Sequence, residues 1–126
     1  MIYMNNTYFF DSYALFEIMR GNVNYENFTN SNIQTTKLNL FEVYFGFLKE
    51  NNQELASISL NRFINFAIDF DKEIIQEAAK FKLKLNDRNV SMVDCIGYIL
   101  AKNLQIKFLT GDKQFEHFEN VEFVKK

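Results

Sequence analysis

A parallel β-sheet covered by helices on both faces, the α/β class, is the fold this sequence predicts, and three observations carry it. Short apolar runs alternate along the chain with stretches of helical period, the order expected of strand-helix-strand units with right-handed crossovers. The length of 126 residues suits one domain over 1–126, since a domain typically takes about 150. Composition supports a packed core: 48% of the residues are hydrophobic and 24% charged, as in ordinary globular proteins.

The first strand is Tyr8-Phe9-Phe10, too short for a helix and stopped by Asp11. Tyr13, Leu15, Phe16 and Met19 then recur at helical spacing until Gly21. Residues 21–34 are Asn-rich and polar, a loop or a loosely held helix. Over residues 36–51, Leu38, Phe41, Phe45 and Leu48 keep a three-and-four rhythm that predicts a helix with one buried stripe. A further helix covers 53–60. The aromatic and β-branched stretch 63–68 predicts a strand, and Ile74, Ile75, Ala78, Ala79 and Phe81 return to helical period. Residues 92–103 form a helix with Val93, Ile96, Gly97, Leu100 and Ala101 inward. It leads into the strand Ile106-Lys107-Phe108-Leu109, which breaks at Thr110-Gly111-Asp112. A short helix and a strand over 121–124 follow.

Composition also excludes several function classes. The single cysteine, Cys95, cannot form an internal disulfide, and with the single histidine, His117, cannot supply a thiolate or imidazole zinc site. A reducing cytosol fits, with Cys95 a small core residue and His117 on the surface. No apolar run approaches the roughly 20 residues that span a bilayer, and the N-terminus lacks a signal-peptide pattern. The expectation is a cytoplasmic protein with no membrane partner. The net charge of −2 advertises no nucleic-acid groove by itself.

Chemistry concentrates in four acids. Asp11 ends one strand and Asp112 follows another, so a parallel sheet brings both to its carboxyl edge, where ligands of such folds sit. Asp94 lies in the first turn of a helix, and Glu42 lies beside Leu38 and Phe41 on its own helix. Four carboxylates so gathered would repel by roughly 3 kcal/mol per pair at about 5 Å and an effective dielectric of about 20. A divalent cation is the natural counter-charge. Oxygen ligands suit Mg²⁺ or Mn²⁺, which activate water and neutralise charge developing on a phosphodiester. Each Asp also sits where a structural task exists. Asp11 can cap the helix that follows, Ser91 with Asp94 resembles a capping box, and Asp112 can cap the short helix after it. Glu42 has no such task, because an unpaired carboxylate beside an apolar stripe costs several kcal/mol when buried. Thr110 and Ser12 flank the acids as supporting hydroxyls, and Gly111 serves the turn.

Phe9-Phe10-Asp11-Ser12, the helical Glu42, Ser91-Met92-Val93-Asp94 and Leu109-Thr110-Gly111-Asp112-Lys113-Gln114-Phe115 together resemble the PIN-domain ribonucleases, a likeness running from Tyr8 to Val124. The resemblance implies a parallel sheet of four or five strands sandwiched by helices. It implies that Asp11, Glu42, Asp94 and Asp112 hold Mg²⁺ or Mn²⁺ with support from Thr110, and that single-stranded or looped RNA is cut by a metal-activated water. Members of this size are commonly toxins of toxin–antitoxin pairs, dimeric and inhibited by a small partner, so a homodimer and an antitoxin are implied too. Relatives often carry another acid where this chain has Gln114, which weakens the expected hold on a second metal. With four of the 16 acids facing a cation, the other 12 are outnumbered by 14 Lys and Arg. Lys113, Arg20, Lys37 and Lys49 are then candidate phosphate contacts. Two other readings are an RNA-processing nuclease of the same type and a catalytically inert scaffold that binds RNA or protein. A phospho-accepting receiver-like domain fits poorly, because no adjacent acidic pair follows the first strand.

Overall fold

In the computed structural model, which describes residues 6–86 and 89–125, the chain opens with β1 (Thr7–Phe10), α1 (Ser12–Met19), a 3₁₀ segment (Val23–Asn30) and β2 (Asn32–Gln34). It continues through α2 (Lys37–Lys49), α3 (Gln53–Phe63), a 3₁₀ turn (Ile64–Phe66), α4 (Lys72–Leu85) and α5 (Met92–Asn103). β3 (Lys107–Thr110), a 3₁₀ turn (Lys113–Phe115) and β4 (Val121–Phe123) complete it. The four strands form one all-parallel sheet in the order β2-β1-β3-β4.

Side-chain alternation along the two central strands sorts the helices into layers. Phe9 and Phe108, paired in register, face α4 and α5 and join Ile74, Ala78, Ile96, Ile99 and Phe115 in one core. Phe10 and Leu109, the next pair, face α1, α2 and α3 and join Leu15, Val43, Phe47, Ala56 and Phe63 in the other. The result is the three-layer α/β sandwich that the sequence predicts. α5 lies close on the sheet because residue 97 is glycine: a Cβ there would stand 2.7 Å from the Phe9 ring.

Local sequence explains why the elements start where they do. Asp11, Thr36, Asn52, Asp71 and Ser91 cap α1 to α5 with side-chain oxygens, each accepting a backbone N–H three residues on. Two expectations fail. The predicted strand over 63–68 is instead the end of α3 and a 3₁₀ turn, leaving only a bridge between Thr35 and Ala67. The stripe of α2 also lies on another face: Leu40, Val43 and Phe47 are buried, whereas Phe41 and Phe45 are 70% and 51% exposed and Leu48 is also exposed. Both sets have helical spacing, and contact with α1 and α3 selects the one that fills the core. The helix predicted over 53–60 runs on to Phe63, and the polar stretch 21–34 holds the edge strand β2.

The strand order places a functional edge. From β1 the chain moves outward to β2, then returns past β1 to β3 on its other side. Strand order therefore reverses between β1 and β3, and beyond the carboxyl ends at such a switch point ligands of open α/β sheets bind. Among the described residues, no helix is long and apolar enough to cross a membrane.

Candidate functional site

Asp11 is the first residue beyond β1 and Thr110 the last of β3, so the switch point brings them side by side. The backbone N–H of Asp11 donates to Leu109 O at 3.2 Å and extends the ladder by one rung. The Asp11 side chain, 1% exposed, accepts the N–H of Ala14 on Oδ1 at 2.7 Å and a hydrogen bond from the Thr110 hydroxyl. Thr110 Oγ1 in turn accepts the N–H of Asp112 at 3.0 Å. One buried hydroxyl thus ties the first acid to the last. Asp112 Oδ1 accepts the N–H of Gln114 at 2.9 Å and caps the 3₁₀ turn. Gly111 stands between them at negative φ, and its missing side chain serves packing: a Cβ would meet the Tyr13 ring at 2.3 Å and the Tyr25 hydroxyl at 2.5 Å.

Asp94 reaches the same edge from the first turn of α5. Its Oδ2 accepts the Ser91 N–H at 3.2 Å while Ser91 Oγ accepts the Asp94 N–H at 3.1 Å, a closed capping box. Glu42 comes from α2, where Ser12 Oγ donates to its Oε1 at 2.5 Å. Ser12 also accepts from Asn39 Nδ2 at 3.0 Å. Asn39 is buried, as are Thr35 and Thr36, and Thr35 Oγ1 donates to Phe10 O at 2.9 Å. Sequence reasoning does not single out Asn39, because an Asn inside a helix reads as surface. The available signal is a polar residue three positions after a capping Thr and three before Glu42.

All three capping roles are therefore realised, and the electrostatics show what they leave unsolved. Burial raises the Asp11 carboxyl well above its ordinary range, and the charges of Asp94 and Asp112 push it further, against the hydrogen bonds from Thr110 and Ala14. Burial likewise raises Asp94, which Asp112 also disfavours as an anion while Lys82 favours it. Burial raises Glu42, with Asp94 adding to it and the Ser12 hydrogen bond opposing it. The four acids thus form one repelling group linked through Asp94. Among the described residues, the ion pairs Arg20–Glu17, Arg20–Glu50, Lys102–Glu119 and Lys107–Glu122 all lie elsewhere. No three of His, Cys, Asp and Glu among those residues already stand at the spacing of a closed cation cage. The donor chemistry fits Mg²⁺ or Mn²⁺, hard ions that take carboxylate oxygens and keep several waters, and so need no all-protein cage.

An open cleft of about 480 Å³ lined by Tyr13, Gly111, Lys113, Glu116, Phe123 and Lys125 lies next to Asp112, with Lys113 on its wall. Arg20 is committed to Glu17 and Glu50 and lies over the Phe16 ring at 4.8 Å. Lys49 lies over the exposed Phe45 ring at 5.5 Å. Cys95 is buried in the α5 core and burial raises its thiol. His117 is exposed.

A raised carboxyl pKa has a definite consequence for stability. The unfolded chain ionises Asp11, Glu42 and Asp94 from about pH 4, whereas the metal-free folded protein holds the protons of these three to higher pH. Stability is therefore lost as pH rises from about 4 through the raised native values. In chelator, the melting temperature of the wild type is expected to fall over that window relative to an Asp11→Asn variant. Each pH unit by which the native carboxyl is raised corresponds to about 1.4 kcal/mol, or roughly 3–6 °C for a domain of this size. Parallel melting curves across that range would contradict it.

A family model described as PIN domain matches residues 8–121. No curated protein matches the chain. Among solved structures it is similar to VapC20 of Mycobacterium tuberculosis, described as a sarcin–ricin loop cleaving toxin. The TM-score there is 0.75 at 14% identity, covering 93% of this chain and 98% of that one. VapBC2 of Rickettsia felis, solved bound to a DNA fragment from its promoter, gives 0.72 at 17% identity over 94% and 99%. A toxin–antitoxin complex from Klebsiella pneumoniae gives 0.70 at 16% identity over 90% and 94%.

Proposed function

Because this chain belongs to the PIN domain family, we propose that it is a metal-dependent endoribonuclease, the toxin of a toxin–antitoxin pair. The observation that carries this reading is the mutually repelling set of buried Asp11 and half-buried Glu42, Asp94 and Asp112, gathered near the sheet's switch point. No Lys or Arg among the described residues is ion-paired with any of them. Capping alone does not call for acids at Asp11 and Asp112, where Asn or Ser would cap about as well, and Glu42 caps nothing.

In this reading the four carboxylates hold Mg²⁺ or Mn²⁺, directly or through water. When bound, the cation supplies an activated water and neutralises charge developing on the scissile phosphate. The protein's own groups do the rest. Thr110 holds Asp11 by its hydroxyl and Asp112 by its oxygen, and Ser12 holds Glu42. The cleft beside Asp112 offers Lys113 and Lys125 to the RNA backbone and the Tyr13 ring to a base. The site uses no nucleophilic side chain, so no covalent intermediate forms. The reading places the protein in the cytosol as a homodimer inhibited by a small antitoxin. The toxin–antitoxin complex and the toxin that it resembles support the antitoxin as partner.

A second reading is an inert scaffold that binds RNA or protein. Gln114 in place of a further acid favours it. Incubation with loop-containing RNA separates the two. Cleavage is expected with Mg²⁺ or Mn²⁺, abolished by chelator, and absent in Asp94→Asn. RNA that stays intact in metal, or cleavage indifferent to both chelator and mutation, would leave the scaffold.

A further inference from the structure

A file of hydrogen bonds runs through the buried start of α2, and its direction is fixed by valence alone. Thr36 Oγ1 accepts the N–H of Asn39 at 3.3 Å as the helix cap. Its own proton is then free to go to Asn39 Oδ1, at 2.6 Å. With its oxygen turned to Thr36, the Asn39 amide presents Nδ2 to Ser12 and donates to Oγ at 3.0 Å. Ser12, receiving a donor on its oxygen, directs its own proton to Glu42 Oε1. Thr36 and Asn39 are each 1% exposed and Ser12 is 8% exposed, so bulk water has little access to scramble the sequence of donors and acceptors.

We propose that Asn39 is a positioning residue: accepting from Thr36 and donating to Ser12, it completes the file Thr36→Asn39→Ser12→Glu42 and holds the Ser12 hydroxyl where it donates to Glu42 and fixes its carboxylate, leaving Oε2 for the cation. The part concerning the cation rests on the function proposed above; the polarity of the file does not. Helix capping does not account for Asn39, because Thr36 alone satisfies that N–H. Nor does packing, because Leu40, Val43 and Phe47 show that this side of α2 takes apolar residues. What Asn uniquely offers is an acceptor on one side and a donor on the other, at fixed separation. An apolar residue in its place removes the donor to Ser12 Oγ, the contact that holds that hydroxyl against Glu42.

The test is a double-mutant cycle of Asn39→Leu and Ser12→Ala, read as Mn²⁺ affinity by electron paramagnetic resonance without RNA, with melting curves alongside. Each single variant is expected to bind Mn²⁺ about 10–100-fold more weakly, the usual loss when a ligand's hydrogen-bond partner is removed. The double variant should bind no more weakly than Ser12→Ala alone, because Asn39 acts through Ser12. Ser12→Thr, which keeps the hydroxyl, should restore affinity. Multiplying losses, or a folded Asn39→Leu with wild-type affinity, would overturn the proposal. Nitrogen-15 NMR of the metal-free wild type needs no Asn39 variant to fold. The Asn39 side-chain amide should be protected from exchange and lose that protection in Ser12→Ala; an amide that exchanges freely in the wild type would overturn the polarity itself. A wild type that binds no Mn²⁺ would instead overturn the proposed function, and the NMR result would still decide the file.

Discussion

Replacing Asp11 by Asn is expected to abolish RNA cleavage, by about 10³-fold or more, while leaving the metal-free protein at least as stable as the wild type. The two halves have separate causes. Asn keeps the Oδ1 that accepts the Ala14 N–H and is as good an N-cap as Asp, so α1 keeps its start. It removes a charge that is 1% exposed and opposed by burial, Asp94 and Asp112, so the folded state is relieved of a penalty. Catalysis loses the acid at the centre of the site, and a thousandfold is roughly 4 kcal/mol of transition-state stabilisation. Asp11→Ala should instead lose both activity and the cap, at about 1 kcal/mol. Cleavage assays with melting curves in chelator check both halves. An Asp11→Asn protein that still cuts RNA, or one that melts well below the wild type, would show that Asp11 serves the fold rather than the chemistry.

Phe108→Ala should cause the largest loss of stability. Phe108 is fully buried at the middle of the sheet, stacked on Phe9 at 5.8 Å and packed on Phe115 at 4.9 Å and on Tyr98 at 5.7 Å. Truncating such a ring costs about 3–5 kcal/mol in lost transfer energy and cavity, a large share of the 5–15 kcal/mol that holds a typical domain. The melting temperature should fall by roughly 10–25 °C. Thr110 lies two residues along the same strand, so activity should disappear over the same temperature range as the fold. A melting temperature within a few degrees of the wild type would contradict the two-core description.

Some of this was legible in the sequence, and the physics explains which part. α5 could be read to the residue, because the Ser91 cap, the Asp94 partner and an apolar helical period agree with one another. β1 and β3 announced themselves as apolar runs ending in Asp11 and Thr110-Gly111-Asp112, because central parallel strands are buried on both faces. β2 could not be read: an edge strand of three polar-flanked residues, Asn32–Gln34, pairs among the described residues with β1 alone and needs no apolar pattern. Over residues 63–68 the composition suited a strand, but the chain leaves α3 there and meets the sheet edge only at Ala67.

The α2 stripe was misread because two apolar helical patterns overlap, and only tertiary contact chooses between them. Glu42 therefore does not border a buried stripe, since its neighbours Phe41 and Phe45 face outward. What places Glu42 is the Ser12 hydroxyl at the start of α1, a contact across thirty positions of chain that no local pattern encodes. Asn39 escaped notice for the same reason: its use depends on Ser12 from another helix.

The account turns on whether the four acids share one hard cation, and crystals grown with Mn²⁺, with diffraction recorded at the manganese edge, test this most directly. The account predicts an anomalous peak beyond the carboxyl ends of β1 and β3, bound by oxygens of Asp11, Glu42, Asp94 and Asp112 either directly or through water. Fully ordered crystals with no peak there, the carboxylates still holding only their helix amides, would contradict it.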